Sequence, residues 1–463
     1  MEKSLDKLFN PGSIAILGAS EDLERIGGLT LHFLLRHGYP GRIYPVNPKY
    51  REIRGLPCYA AVTNIPDPVD LILIGIPRSA VFEALGQCAI KKTPFAILFS
   101  AGYAEMGSSG RAEQQKLKNF ARQAGIRMVG PNCIGIVNAH GRVAASFVSG
   151  LEMEKIIPGG LALITQSGGI GNIILTRAQD RSIGLSCFVS SGNELDLEAA
   201  DFLEYFLEDP RTRAIAFLLE DLKNPRKFSL MAEKARKAGK PVLALKVGRS
   251  AKGRLAASSH TGAISGADSL YEALFRQKGI CRVDAIDQLF ETGNLFVRFG
   301  RATGNRAAIL STSGGSGALL ADLASDHGVE LPLPSNRTSR ALKDWTPAVS
   351  AITNPMDITT QFMNNPEAIA AYLRAFADDR CFDFLVLTLT FSSARKSVEV
   401  AEGIAAIAPS LQKPLIVCWP VGKMAGPAFQ ILESAGIPLF FHPERCLSAL
   451  GCFARYGMRA NNA

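Results

Sequence analysis

The sequence predicts an α/β protein of parallel sheets covered on both faces by helices. Three observations lead there. Short apolar runs alternate with helical stretches along the whole chain. The runs are apolar almost throughout, as in strands buried on both faces, rather than at every second residue. The same grammar then restarts twice. At about 100–200 residues per domain, 463 residues make two to four domains. The expected divisions are residues 1–145, 146–300 and 301–463.

In the first section, residues 13–17, 42–46, 71–76, 95–99 and 127–129 read as strands. A helix at 28–37 is closed by Gly38, and a second, rich in Lys, Gln and Ala, covers 111–124. In the second section, strands are expected at 160–165, 185–189, 214–219 and 242–246, with helices at 171–180, 198–207 and 228–238. Residues 250–266 are polar and poor in bulky side chains, so they read as a loop ahead of a helix at 267–278. The third section repeats the second. ALITQSGGIGNIIL, from Ala162, matches AILSTSGGSGALL, from Ala308, and KPVLALKVG, from Lys240, matches KPLIVCWPVG, from Lys413. Two matched landmarks in matched order indicate a duplicated flavodoxin-like or Rossmann-like domain.

Composition excludes several classes. Residues are 47% hydrophobic and 20% charged, which suits a soluble globular protein. No apolar run reaches the roughly 18–20 residues of a membrane span, and the N-terminal segment mixes acids with bases, unlike a signal peptide. Nine scattered cysteines without a CxxC pair read as reduced cytosolic thiols, with no metal site. The net charge of +9 is dispersed. That disfavours nucleic acid and suits a small polyanion such as a nucleotide or coenzyme A.

Six places carry candidate chemistry. Gly18, Ala19 and Ser20 follow the first strand, where free backbone N–H groups can meet a phosphate. The second strand ends in Val46-Asn47-Pro48-Lys49, without the acid that would hold a dinucleotide's ribose. Lys49 suits an additional phosphate instead. Ser167, Gly168 and Gly169 recur as Ser313, Gly314, Gly315, Ser316 and Gly317, two turns whose missing side chains let an anion approach a helix start. His260 stands among small residues with no apolar face, placed to act as a nucleophile that accepts a phosphoryl group. Glu220, at the end of a strand, is a carboxylate able to fix a histidine tautomer.

Gly18-Ala19-Ser20, Ile43-Tyr44-Pro45-Val46-Asn47-Pro48-Lys49, Gly130-Pro131-Asn132-Cys133, Ser167-Gly168-Gly169, Ser259-His260-Thr261-Gly262-Ala263 and Ser313-Gly314-Gly315 stand in family order. Over essentially its whole length the chain resembles the α subunit of the ADP-forming acyl-CoA (acetyl-CoA) synthetases, relatives of succinyl-CoA synthetase. The resemblance implies a Rossmann-like CoA-binding domain followed by two flavodoxin-like domains. It implies coenzyme A near Gly18, Ala19, Ser20 and Lys49, with its pantetheine arm passing Ser100, Ala101 and Gly102. By the same resemblance His260 is the phosphorylated histidine, Glu220 its supporting carboxylate, and the two glycine turns a shared phosphate cradle. Fused relatives continue into an ATP-grasp module that this sequence does not show. An ATP-grasp β subunit binding ADP or ATP with Mg2+ is therefore expected, in a cytoplasmic α2β2 assembly acting on a small carboxylic acid or its acyl-CoA. Other readings stay open: a catalytically silent CoA sensor, a nicotinamide-dependent dehydrogenase, and a protein acyltransferase.

Overall fold

The computed structural model describes residues 4–261, 267–346, 351–359 and 366–461. The chain forms two compact units, residues 1–290 and 291–463.

The first unit opens with α1 (Asp6–Phe9), β1 (Ser13–Leu17), α2 (Ile26–Arg36), β2 (Arg42–Val46) and a small hairpin, β3 (Glu52–Ile53) and β4 (Leu56–Pro57). Then come β5 (Leu71–Ile74), α3 (Val81–Lys91), β6 (Phe95–Leu98), α4 (Ser108–Ala124) and β7 (Arg127–Val129). Five of these strands form a wholly parallel sheet in the order β2-β1-β5-β6-β7. Their continuous apolar runs are explained by burial: every residue of β1, β5 and β6 is buried.

A second sheet follows. It uses β8 (Gly135–Asn138), β9 (Val143–Ser146), β10 (Pro158–Thr165), β11 (Leu185–Ser190), β12 (Ala214–Leu219), β13 (Val242–Lys246) and β14 (Cys281–Val283). Its order is β14-β13-β12-β10-β11-β8-β9, parallel except for the antiparallel hairpin β8–β9 on β11. The helices between are α5 (Gly168–Asp180), α6 (Ala199–Glu208), α7 (Pro225–Lys237), α8 (Ala251–Thr261) and α9 (Asp268–Lys278). One apolar cluster continues from Ile14, Ile16 and Phe95 of the first sheet to Ile164, Ile215 and Phe217 of the second. Phe9 of α1 stacks on Tyr205 of α6 at 4.6 Å. The two sheets therefore share a core, and residues at their strand ends are held at fixed separations.

Two expectations need correction. Helix α5 begins at Gly168, not residue 171, because Ser167 caps it by accepting the Ile170 N–H at 3.5 Å. Residues 251–261, expected in a loop, are helical. Ser250 Oγ accepts the Gly253 N–H at 3.0 Å, and the following Arg, Leu and Ala residues are good helix formers.

Helix α10 (Ile286–Phe299) precedes β15 (Ala307–Ser311), α11 (Gly314–Asp326), α12 (Asn336–Ala341), β16 (Met356–Asp357) and α13 (Pro366–Asp378). The second unit then runs through β17 (Phe384–Thr388), α14 (Ala394–Ile407), β18 (Leu415–Cys418), α15 (Gly426–Ser434), β19 (Leu439–Phe440) and α16 (Pro443–Asn461). Its sheet, β16-β15-β17-β18-β19, is parallel throughout. All three sheets share one device. The chain leaves β1, β10 or β15, pairs its next strand on one side, then crosses to the other. Each glycine turn thus sits at the carboxyl end of the strand where the winding reverses, the place where such sheets bind ligands. Among the described residues no helix is long and apolar enough to cross a membrane.

Candidate active site

At the first turn the glycines answer to close backbone packing. Gly18 takes φ +84°, and a Cβ there would lie 2.6 Å from the Gly75 carbonyl oxygen. A Cβ on Gly27 would collide with the Gly18 carbonyl, and one on Gly28 with that of Asp22. The start of α2 therefore presses directly on the loop after β1. Ala19 contributes a buried methyl to the core, and its carbonyl accepts Asn47 Nδ2 at 2.8 Å. Asn47 also accepts the Lys49 N–H at 3.0 Å, so it is committed to shaping the turn that presents Lys49.

A cleft of about 850 Å3 opens at the carboxyl ends of β1, β2 and β5, and brings together Gly18, Ser20, Lys49 and Ser100. Ala19, Ala101 and Gly102 are not on its wall. Lys49 is exposed and has no ion pair among the described residues, whereas Arg25 on the same wall is paired with Asp22 at 3.2 Å. A glycine-tight backbone and a free ammonium at one end, with Ile76, Pro77 and Ser100 at the other, fit a ligand with phosphates and an extended arm.

The second turn is built with more hydroxyls. Thr165 Oγ1 donates to the Ser167 carbonyl at 2.8 Å and accepts the Ser167 N–H at 3.1 Å. The Gly171 N–H goes to the Ser167 carbonyl at 2.9 Å. That leaves the N–H groups of Gly168 and Gly169 at the helix start, without an intrahelical acceptor. The glycines differ in what they permit. A Cβ on Gly171 would meet Thr165 Cγ2 at 2.5 Å, so that glycine serves helix–strand packing. One on Gly169 would meet nothing within 4 Å. Room around Gly169 at a helix start leaves an anion free to approach the backbone there.

Gln166 ties this turn to Glu220. Its Oε1 accepts the Glu220 N–H at 2.6 Å and the Asp221 N–H at 3.0 Å, and its Nε2 donates to the Asp221 carbonyl at 2.6 Å. Glu220 directly follows β12, the neighbour of β10, and its carbonyl accepts Lys246 Nζ at 2.8 Å. His260 lies in α8, whose backbone approaches the short turn Ala104–Met106. Its side chain is outside the described residues.

In the second unit the repeat is faithful in its backbone. Ser311 Oγ donates to the Ser313 carbonyl at 2.6 Å and accepts the Ser313 N–H at 3.2 Å. Its surroundings differ. Ser313 does not cap α11 with its side chain, Ser316 Oγ pairs with Thr388 Oγ1 at 3.2 Å, and a Cβ on Gly314 would lie 3.2 Å from Asp357 Oδ2.

Known proteins decide the family. Residues 12–139 match the model of a CoA binding domain, and residues 158–296 that of a succinyl-CoA ligase like flavodoxin domain. The chain is 34% identical over 450 residues to the acetate–CoA ligase [ADP-forming] II subunit alpha of Pyrococcus furiosus, covering 96% of each. It belongs to the ADP-forming acyl-CoA synthetases.

These are ligases of the succinyl-CoA synthetase superfamily, and the chain corresponds to their α subunit. Against acetate–CoA ligase [ADP-forming] I of Archaeoglobus fulgidus it is 35% identical over 452 residues, but spans only 64% of that protein's length. The solved structure of Ca. Korarchaeum cryptofilum dinucleotide forming acetyl-coenzyme A synthetase 1 in complex with phosphate and ADP superposes with a TM-score of 0.91. Their identity is 30%, over 99% of this chain and 98% of that one.

Sequence reasoning missed the polar residues that join the parts of this synthetase site. Gln166 directly precedes the Ser167-Gly168-Gly169 motif but carries no motif of its own. Glu194, after β11, is buried at a φ of +54°. Its carboxylate accepts Ser191 Oγ at 2.9 Å and the Ala199 N–H at 3.2 Å. Burial pushes its pKa up to about 7, against the opposing pull of Gln166, Ser191 and Lys223. The dipeptide Gly192-Asn193 just past a strand was the available signal, since it marks a turn at the ligand-binding end of the sheet.

Proposed function

We propose that the chain, with an ATP-grasp β subunit, interconverts acyl-CoA, ADP and phosphate with carboxylate, CoA and ATP. Ser20 and Lys49 hold the nucleotide end of CoA through a backbone N–H and one ammonium, the close-packed Gly18 and Ala19 shape that turn, and the turn of Ser100, Ala101 and Gly102 borders the thioester. A phosphate oxygen attacks the acyl carbon there. The C–S bond breaks, CoA leaves as thiolate, and acyl phosphate remains.

His260, as neutral imidazole, attacks phosphorus and the carboxylate departs. Glu220 holds the ring tautomer that presents a lone pair. The N–H groups of Gly168 and Gly169 receive charge as it moves onto the phosphoryl oxygens. Preorganised donors of this kind need no reorientation during the reaction. The phosphoryl group then passes from His260 to ADP, which with Mg2+ belongs to the partner. Covalent relay of this sort separates the acyl and nucleotide sites. An α2β2 assembly and a cytoplasmic location complete the proposal.

The Gln166 bridge supports this reading most directly, because it ties the backbone of Glu220 to the residue just ahead of the Ser167-Gly168-Gly169 turn. The test needs only this chain and acetyl phosphate labelled on phosphorus. Wild type is expected to gain an acid-labile, base-stable label. His260→Asn should gain none while binding CoA within twofold of wild type. Undiminished labelling of the variant removes the relay.

A further inference from the structure

The loop after β11 reaches both halves of the site. Asn193 Nδ2 donates to Glu105 Oε2 at 2.5 Å and to Gln114 Oε1 at 3.1 Å, and its Oδ1 accepts Asn132 Nδ2 at 3.3 Å. Both amide protons and the amide oxygen are engaged, so the ring of contacts fixes the side chain in one orientation. Each partner then holds the thioester side. Glu105 Oε1 accepts the Gly102 N–H at 2.5 Å, Gln114 accepts the Ala104 N–H at 3.2 Å, and Asn132 donates its N–H to the Ser100 carbonyl at 3.0 Å. Burial alone would raise the Glu105 pKa. The hydrogen bonds from Asn193 and Gly102 outweigh it and hold the carboxyl below its usual range.

The adjoining residues hold the phosphoryl side. The Ser191 N–H donates to the Thr165 carbonyl at 2.9 Å, and Ser191 Oγ donates to Glu194, whose charged form is also favoured by Gln166. Gly192, between them, takes φ +59° against the Pro131 and Asn132 carbonyls, where a side chain would not fit. Four consecutive residues thus join the turn that carries Gly102 to the turn that carries Gly168.

We infer that Asn193 is a positioning residue of the ligase reaction: through Glu105 and Gln114 it sets turn 100–102 at a fixed distance from the phosphoryl turn 166–169. Glu194 anchors the opposite end of the same strut. An acyl phosphate made at one turn must be within reach of groups at the other, so slack in the strut costs turnover without costing binding. The assignment rests on the reaction proposed above, but the strut itself can be measured separately.

The test uses the full chain and two variants, Asn193→Ala and Asn193→Asp. Hydrogen exchange at the Gly102 and Ala104 amides should accelerate at least tenfold in Asn193→Ala, with exchange in β12 and β13 unchanged. CoA affinity should stay within twofold. In the assembled enzyme, with acetate as probe, kcat should fall at least tenfold while KM for CoA stays within twofold. Asn193→Asp, which keeps the shape but sets a carboxylate against Glu105, should resemble Ala. Unchanged exchange at Gly102 and Ala104 overturns the strut whatever turnover does. Faster exchange with wild-type kcat overturns its role in positioning. Absence of turnover in wild type removes the proposed reaction, and the exchange data still judge the strut.

Discussion

Thr165 and Ser167 are locked to each other twice: the threonine hydroxyl donates to the serine carbonyl at 2.8 Å and receives the serine N–H at 3.1 Å. Ser311 and Ser313 repeat the arrangement at 2.6 and 3.2 Å. A hydroxyl two residues upstream thus engages both the N–H and the carbonyl of the Ser at each helix start. Duplication has preserved this local device while changing what surrounds it.

The glycines at the start of α5 are expected to separate fold from function. Gly169→Ala places a methyl in open space and exchanges glycine for the best helix former, worth about 0.8–1 kcal/mol of stability in a helix interior and less in a first turn. The variant should melt at or above the wild-type temperature and bind CoA normally, yet lose at least tenfold in phosphoryl transfer to His260. Gly171→Ala drives a methyl to 2.5 Å from Thr165 Cγ2, an overpacking of about 1–3 kcal/mol, and should lower the melting temperature. Thermal melts and phosphorylation rates on both variants check this. Equal stability losses would make both glycines purely structural.

Lys49 is exposed and its ammonium lacks an ion pair among the described residues. A contact with one phosphate there resembles an exposed ion pair, at most about 1 kcal/mol. Lys49→Ala should therefore weaken CoA binding about threefold to fivefold at low salt. The difference should shrink toward nothing at about 0.5 M salt, where screening is effective within several ångströms. Titration calorimetry at two ionic strengths tests it, and a loss independent of salt would argue for a packing role.

The turn at the start of α11 carries its own acid. Asp357 Oδ2 lies close to Gly314 at the start of α11, where a carboxylate stabilises a helix by about 0.3–1 kcal/mol but competes with an incoming phosphoryl group. Asp357→Asn should lower the melting temperature slightly in buffer without phosphate. Added phosphate should then raise it more than in wild type. An identical phosphate response in both proteins would show that the acid does not face the anion.

The strand framework was readable because its runs are uniformly apolar between Gly, Pro and charged residues. Residues 13–17, 42–46, 127–129, 214–219 and 242–246 are strands with those bounds. Helix α3 went unread although Val81, Ala84, Leu85 and Cys88 form a regular buried stripe. The start of α5 was displaced because three glycines argue against helix by propensity, whereas the Ser167 cap decides the local outcome. Segment 251–261 was misread for a related reason: polarity and small size exclude a core, but they do not exclude a helix. The ties of Gln166 to Glu220 and of Asn193 to Glu105 were beyond reach. They join residues 54 and 88 positions apart in sequence and depend on which strands are neighbours, an order that local pattern does not contain.

Glu194 offers a test that reads stability rather than turnover. Its carboxyl is buried, and its pKa is raised from 4.5 to about 7, mainly by loss of water. Glu198, Lys223 and Tyr271 are the titratable groups that act on it, the first opposing its charge and the second favouring it. The folded state therefore holds the proton more tightly than the unfolded chain. The associated stability is fully present below about pH 4.5 and is lost as pH rises through about 7. At 1.36 kcal/mol per unit, the loss is on the order of 3 kcal/mol. Glu194→Gln keeps an acceptor for Ser191 and Ala199 but cannot ionise. Relative to wild type, this variant should gain stability as pH rises from about 4.5 to about 7, by up to that amount, and hold the difference above. Urea unfolding at several pH values measures the difference. A constant offset across the range would mean that Glu194 titrates as an ordinary surface acid.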